Sequence, residues 1–333
     1  MTIKSNKKVM ITGAAGFIGS HLSERLIREG NIVYAFDIKP LNECKNLESL
    51  QNNPNFNYFQ GDIRDEESVS SFFQKDAKVI YHLASIVGVR YYMEDPLSLI
   101  DITINGTKNI IKLCIDFDTK LLFASTSEIY GKNPNTPWNE EADRVLGSPG
   151  VDRWCYSSSK ALIEHMLFGL HRNGKLNFST VRFFNVYGPK QNPIYVVSQS
   201  IYRILRNESP DIYDGGKQTR CFTYIDDAID GLILVATEEI ANGHVFNIGN
   251  QNPTNIEDIV NYCISESGID IKINNINTQE MYGKVYQDII NRIPDSSKAQ
   301  KLLNWTANTN PKEGIKKTIE WVRKNNWYLN SLL

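Results

Sequence analysis

The stretch Val9 to His21, VMITGAAGFIGSH, decides how the rest of the chain is read. Val9 to Thr12 is an apolar run that predicts a strand. Gly13, Gly16 and Gly19 predict a tight turn, and Phe17 to Glu29 has helical character. A parallel strand that enters such a turn lets the following helix point its first N–H groups at an anion, for which a pyrophosphate is the expected guest. A β-carbon in the turn would forbid its geometry or hold the ligand off the backbone. The spacing is GxxGxxG, and alone it is a weak signal. Its context strengthens it: the second apolar run, NIVYAFD, ends in Asp37, 18 residues beyond Gly19. A carboxylate there suits a ribose 2′-OH and repels a 2′-phosphate, so NAD is expected in preference to NADP.

The chain has 333 residues, room for two domains, and a formal net charge of −2, which offers no footprint for nucleic acid or for a basic membrane-binding surface. Its five cysteines (Cys44, Cys114, Cys155, Cys221, Cys263) are odd in number and show no CxxC pair, so neither a disulfide framework nor a zinc site is expected. The polar start MTIKSNKK precedes an apolar run too short for a signal peptide or a span, which makes the cytoplasm the expected compartment.

Beyond Asp37 a polar segment leads to the strand Phe56 to Phe59 and to Asp62, a residue suited to the adenine amino group, to a helix N-cap, or to both. The strand Lys78 to Leu83 ends in HLAS, where small Ala84 and Ser85 let backbone approach a flat cofactor and His82 reads as structural. Pro96 to Phe117 keeps apolar residues at helical spacing and could cover the sheet or form a dimer face. Lys120 to Ala124 then runs into Ser125, Thr126, Ser127 and Glu128, polar residues at a strand end where such folds put their chemistry. After a long loop, RWCYSSSKALIEHMLFGLH predicts a helix on which Tyr156 and Lys160, four residues apart, share a face. The strand Ser179 to Val186 leads to YGP, after which strands shorten. The alternation predicts an α/β fold: a doubly wound parallel Rossmann sheet over residues 1–189 and a smaller α/β C-terminal substrate domain over 190–333, with the segment around 222–238 returning to the first domain.

The pieces TGAAGFIGSHL, HLAS, NGTKNI, STSEIYG, YSSSK, RFFNVYGP, TRCFTYIDDAIDGL and FNIGN, in this order, resemble the extended short-chain dehydrogenase/reductase family of NAD-dependent nucleotide-sugar epimerases and dehydratases along nearly the whole chain. Thr126-Ser127-Glu128, RWCYSSSK, KQTRCFTYI and YGKVYQDIINRIPD look most like its UDP-glucuronate decarboxylases. The resemblance implies a cofactor surface completed by Phe17, Ile18, Ile63, Leu83, Ser125 and Phe183, and a UDP-linked substrate met by Asn185, Arg220, Tyr286 and Arg292. Arg220 would take the diphosphate or the uronate carboxylate. It also implies a homodimer built from the helices at Pro96 to Phe117 and Arg153 to His171.

The chemistry needs these residue types. Removing hydride from a sugar carbon requires a base for its hydroxyl, and free tyrosine, with a pKa of about 10, is a poor one at neutral pH. Lys160 and a cationic nicotinamide would favour the Tyr156 phenolate. Thr126 would hold the same hydroxyl, and oxidation at C4 of a hexuronate gives a β-keto acid that loses its carboxylate easily. By the resemblance, 4,6-dehydratases carry Asp-Glu where this chain has Ser127-Glu128, which disfavours dehydration because serine is a poor general acid. A 4-epimerase, the alternative reading, would not require Glu128. A non-catalytic NAD-binding regulator on this fold would have no need of Tyr156, Lys160 and Thr126 together.

Overall fold

The computed structural model of the protein describes residues 7–88, 95–277 and 289–330. In chain order its elements are β1 (Lys8–Thr12), α1 (Phe17–Arg28), β2 (Ile32–Asp37), β3 (Phe56–Gln60), α2 (Glu66–Phe72), β4 (Val79–His82), α3 (Pro96–Asp101), α4 (Thr107–Asp116), β5 (Lys120–Thr126), α5 (Arg153–Arg172), β6 (Phe178–Phe183), β7 (Val186–Tyr187), α6 (Val196–Leu205), β8 (Asp211–Tyr213), β9 (Thr219–Cys221) and β10 (Thr223–Tyr224). There follow α7 (Ile225–Thr237), β11 (His244–Ile248), β12 (Pro253–Asn255), α8 (Ile256–Ser267), β13 (Asn274–Ile276), β14 (Asn291–Arg292), α9 (Ser297–Leu303), α10 (Pro311–Lys324) and α11 (Asn326–Leu329).

Two compact units are formed. Residues 1–129, 152–182 and 231–246 make the first, and residues 130–151, 183–230 and 247–333 the second. The chain leaves the first unit after Ile129, returns at Asp152, leaves again after Arg182 and comes back at Gly231, midway along α7. A composition shift reports local sequence, whereas unit membership is decided by pairing between distant segments.

In the first unit, seven strands form one sheet in the order β11-β6-β5-β4-β1-β2-β3. The register is parallel throughout β3-β2-β1-β4-β5, with Met10 between Tyr34 and Ile80. Strands covered on both faces are apolar along their length, and Val9 to Thr12 are buried at every position. Met10, Phe36, Phe72, Ile80, Ile110, Phe123, Ile163 and Phe178 belong to one core that joins the strands to α2, α4 and α5. Helix α2 is the helix that a cap at Asp62 would have opened, and it starts three residues later than such a cap would place it. Its N-cap is Asp65, whose carboxylate accepts from the N–H groups of Glu67 and Ser68, so the capping role falls to this residue and not to Asp62. Helices α3 and α4 are joined without a break by a π-helical turn, Ile102–Gly106. Gly106 is needed there because a β-carbon would lie 2.5 Å from Cδ1 of Ile63.

In the second unit, β7 pairs with β10, β8 with β13, and β12-β9-β14 form a small sheet. Helices α6, α8 and α10 pack together beside them. The strand expected from Ser179 to Val186 is interrupted: β6 ends at Phe183, Asn185 has φ 38°, and β7 begins at Val186. Asparagine is one of the few side chains that tolerate that left-handed region, and it turns the chain between the two strands.

Candidate active site

The glycine turn sits where the sheet order reverses, since β1 has β2 on one side and β4 on the other. Gly13 has φ +73°, and a β-carbon on it would lie 2.7 Å from the Ala84 nitrogen; one on Gly19 would lie 2.2 Å from the Gly13 oxygen. Gly16 is the N-cap of α1, Phe17 and Ile18 open that helix, and the Phe17 ring meets the edge of His21 at 5.7 Å. The Asp37 carboxylate, at the end of β2, accepts from the Ala15 N–H at 2.9 Å, which fixes it against the glycine turn. Asp62 is held by Arg64 at 2.6 Å, and this guanidinium keeps its carboxyl below the usual range. Ile63 is buried in the core beside Gly106. The residues fit a dinucleotide: the turn is packed too closely at Gly13 and Gly19 to admit a side chain, a helix N-terminus follows it, and the Asp37 carboxylate is fixed against it.

His82 ties this region together. Its Nδ1 lies 2.7 Å from the Thr12 hydroxyl and its Nε2 2.9 Å from that of Thr107, linking β1, β4 and α4. Burial, with the nearby Lys160 charge as the second cause, pushes its pKa down to about 3, so the ring is neutral and structural. Thr12 accepts the Ala84 N–H at 3.3 Å, and the Leu83 N–H donates to the Thr12 carbonyl at 3.1 Å. The segment carrying Leu83, Ala84 and Ser85 is thereby pinned beside the glycine turn.

The second cluster of the first unit is assembled by β5 and α5. Strand β5 runs two residues further than the sequence suggested and includes Ser125 and Thr126, and a 3-10 turn from Ser127 to Tyr130 follows it. The Lys160 ammonium donates to the Ala124 carbonyl at 2.9 Å. At the first position of the helix, Arg153 holds Glu128 in a bidentate pair, Nε to Oε2 at 3.0 Å and Nη2 to Oε1 at 2.9 Å, with side chains only 7% and 13% exposed. Tyr156 lies between Arg153 and Lys160 on the helix. The two flanking contacts run to residues 124 and 128, the segment that carries Thr126. The Thr126 hydroxyl accepts the Glu128 N–H at 3.2 Å. Tyr156 is 4% exposed and packs on Leu99, with Ile86 and Cys155 beside it. The Lys160 ammonium lies 5.9 Å from the Tyr156 ring centroid, and burial pulls its pKa down to about 7. Ser127 is buried, 1% exposed.

In the second unit Arg220 and Arg292 are register partners on the parallel pair β9-β14, so their side chains leave the same face. Both are buried, and Arg220 donates through Nη1 to the carbonyls of Thr219 and Ile290. The Asn185 side-chain amide donates to the Cys221 carbonyl at 3.3 Å, next to Arg220 in the chain. Phe183 closes β6 just before it. Three of the four substrate candidates thus share one cationic corner. The fourth, Tyr286, lies outside the described residues.

Three residues with no role in the sequence reading enter the first unit's site: Arg153, Glu164 and Arg182. Arg153 stands three residues before Tyr156, and Glu164 extends the Tyr156-Lys160 face by one more turn. That i, i+4 ladder is the signal that could have found Glu164.

A family profile described as GDP-mannose 4,6 dehydratase matches residues 10–318. The chain is 35% identical over 321 residues to a UDP-N-acetyl-alpha-D-glucosaminuronate decarboxylase of Bacillus cytotoxicus, covering 96% of this chain and 98% of that one. Among solved structures it is similar to UDP-glucuronic acid 4-epimerase of Bacillus cereus in complex with UDP-glucuronic acid and NAD (TM-score 0.83, 29% identity, 95% of this chain and 99% of that chain). It is likewise similar to UDP-glucose 4-epimerase of Thermotoga maritima with UDP-glucose (TM-score 0.85, 28% identity, 96% and 99%).

Proposed function

We propose, on the premise that this chain belongs to the extended short-chain dehydrogenase/reductase family of nucleotide-sugar enzymes, that it oxidises C4 of a UDP-linked glucuronic acid, with or without a 2-acetamido group, and removes the C6 carboxylate. The observation that carries the reading is the anchored carboxylate of Glu128, held by Arg153 one turn before Tyr156. Inverting C4 alone has no use for it, whereas a decarboxylated sugar must take up a proton at C5. Ser127, in the position of the dehydratase acid, speaks against loss of water.

The cofactor is NAD, which when bound would accept the C4 hydride. The chain's own residues hold and move the protons. Thr126 holds the C4 hydroxyl by a hydrogen bond, and Tyr156, its phenolate favoured by the Lys160 ammonium, takes the proton. The resulting C4 ketone stands β to the C6 carboxylate, so the electrons of the C5–C6 bond move toward the ketone as carbon dioxide leaves. C5 is then protonated with the help of Glu128. Arg220 and Arg292, presented side by side, suit the two phosphates of the UDP moiety, with Asn185 next to them.

A 4-epimerase is the second reading, favoured by the likeness to the Bacillus cereus enzyme. Incubation of the purified protein and NAD with UDP-glucuronate and with its 2-acetamido counterpart separates the two. Carbon dioxide and a UDP-pentose, seen by NMR, support decarboxylation. A C4 epimer with its carboxylate intact and no carbon dioxide overturns it.

The Asp37 carboxylate on the glycine turn makes NAD binding tighter than NADP binding by the repulsion of a 2′-phosphate. Asp37→Ala is expected to lose about thirtyfold of that preference by removing both the ribose hydrogen bond and the repulsion, each on the order of 1 kcal/mol. Titration of the variant with both dinucleotides checks this, and an unchanged ratio would remove Asp37 from the site.

Exposed apolar side chains mark the helices α3 and α5: Leu97 is 78%, Ile100 41% and Leu162 49% exposed. The two helices pack on one another, and their outer faces suit a second copy of the chain. A homodimer is the expected state by light scattering at micromolar concentration, and a monomer there would contradict it. No helix among the described residues is long and apolar enough to cross a membrane, and we assign the enzyme to the cytoplasm, where its five free thiols stay reduced.

A further inference from the structure

We propose that Glu164, clamped by Arg182 and Ser125, is a positioning residue that keeps the Lys160 side chain an ammonium beside Tyr156; this rests on the reading of Tyr156 and Lys160 as the oxidation pair. The geometry is a buried ladder behind the site. Tyr156, Lys160 and Glu164 succeed one another at four-residue intervals along α5, so each shares a face with the next. Glu164 is 4% exposed and accepts three hydrogen bonds: from the Ser125 hydroxyl at 2.5 Å, from Arg182 Nε at 3.1 Å and from Arg182 Nη2 at 2.5 Å. Its partners come from β5 and β6, so the carboxylate is fixed to the sheet and cannot swing away.

A lysine with 3% of its surface exposed is under strong pressure to give up its proton. Among the described residues, the titratable and charged groups tied to Lys160 are Tyr156 and Glu164 on its own helix and His82 from β4, with Arg182 from β6 behind Glu164. His82 is neutral, so it offers no charge. Glu164 is the group that opposes the burial and draws the Lys160 titration upward. The sign follows directly: Lys160 is charged below its pKa and loses its charge as pH rises through about 7. Removing the Glu164 charge moves that loss to lower pH, and a neutral amine no longer favours the phenolate. Arg182 supplies the countercharge that a carboxylate buried this deeply needs.

The test reads the ammonium itself. In the NAD-bound enzyme labelled with 13Cε-lysine, the Lys160 signal is assigned by its disappearance in Lys160→Met and followed against pH by NMR. Glu164→Gln keeps the shape and an oxygen for Ser125 and Arg182 but removes the charge, and is expected to lower the Lys160 titration by about one pH unit. The acid limb of kcat/KM should move upward in pH with it, because the phenolate has lost its support. Glu164→Gln/Arg182→Met removes both charges and leaves no buried guanidinium unpaired; it should also titrate lower than wild type, by less than the single variant. Should the single variant fail to fold, the double variant decides alone. Lys160 titrating as in the wild type in the folded variants overturns the proposal and leaves Glu164–Arg182 as an ion pair that only stabilises the fold. The readout does not depend on whether carbon dioxide is released, so failure of the decarboxylase reading is told apart from failure here.

Discussion

Tyr156→Phe is expected to lower turnover by about 10²–10⁴-fold, the range for loss of a positioned acid–base group, with NADH formation and carbon dioxide release falling together. Both fall because no ketone forms without a base at the C4 hydroxyl, and without the ketone the carboxylate has no electron sink. Phenylalanine retains the ring that packs on Leu99, so the helix and its neighbours keep their places. The measurement is parallel: absorbance of NADH and trapped carbon dioxide from the same reaction. Carbon dioxide released at the wild-type rate would remove Tyr156 from the chemistry.

Glu128→Gln should fail differently. The oxidation set, Tyr156, Lys160 and Thr126, is left whole, so NADH accumulates in the first turnover while release of the decarboxylated product slows by about 10²–10⁴-fold if Glu128 handles the C5 proton. Glutamine is the informative replacement. Alanine would leave the Arg153 guanidinium buried without its bidentate partner, at a cost of about 3–5 kcal/mol in stability, and would mix a folding defect with a chemical one. Rapid-mixing kinetics separate the steps: equal slowing of NADH formation and of carbon dioxide release would mean that Glu128 acts before the ketone and not after it.

What could be read from the sequence was whatever lies within one or two turns of itself. The glycine turn, Asp37 at the next strand end, and Tyr156 with Lys160 are short-range patterns whose geometry follows from strand and helix periods. The ion pairs were not legible in the same way. Arg153 and Glu128 are separated by 25 residues and Arg182 and Glu164 by 18, and nothing local says which of many arginines meets which of many acids. Arg220 and Arg292 could each be named from the family resemblance, but their side-by-side presentation arises only when β14 pairs with β9. Helix α2 was foreshadowed only by a possible cap at Asp62, because EESVSSF is short and mostly polar, with Val69 and Phe72 as its buried residues. The Asn185 turn hid inside a run that looks like unbroken strand, since its conformation is tolerated by asparagine and announced by none of its neighbours.

The place of β11 at the edge of the seven-strand sheet bears on how the protein is made. Residues 244–248 complete a sheet whose other strands have all emerged by Phe183, and Gly243 and Ile248 bond back to Phe178 and Phe184 across that gap. On the ribosome, β6 must therefore wait for more than sixty further residues to be translated before its outer edge is paired. An uncovered strand edge is a template for other chains, so the nascent sheet is most open to self-association in that interval. The same topology rules on gene dissection: a fragment cut at Pro189 would keep every residue of the glycine turn and of the Tyr156 ladder, yet the outer edge of its β6, beyond β5, would stay permanently unpaired.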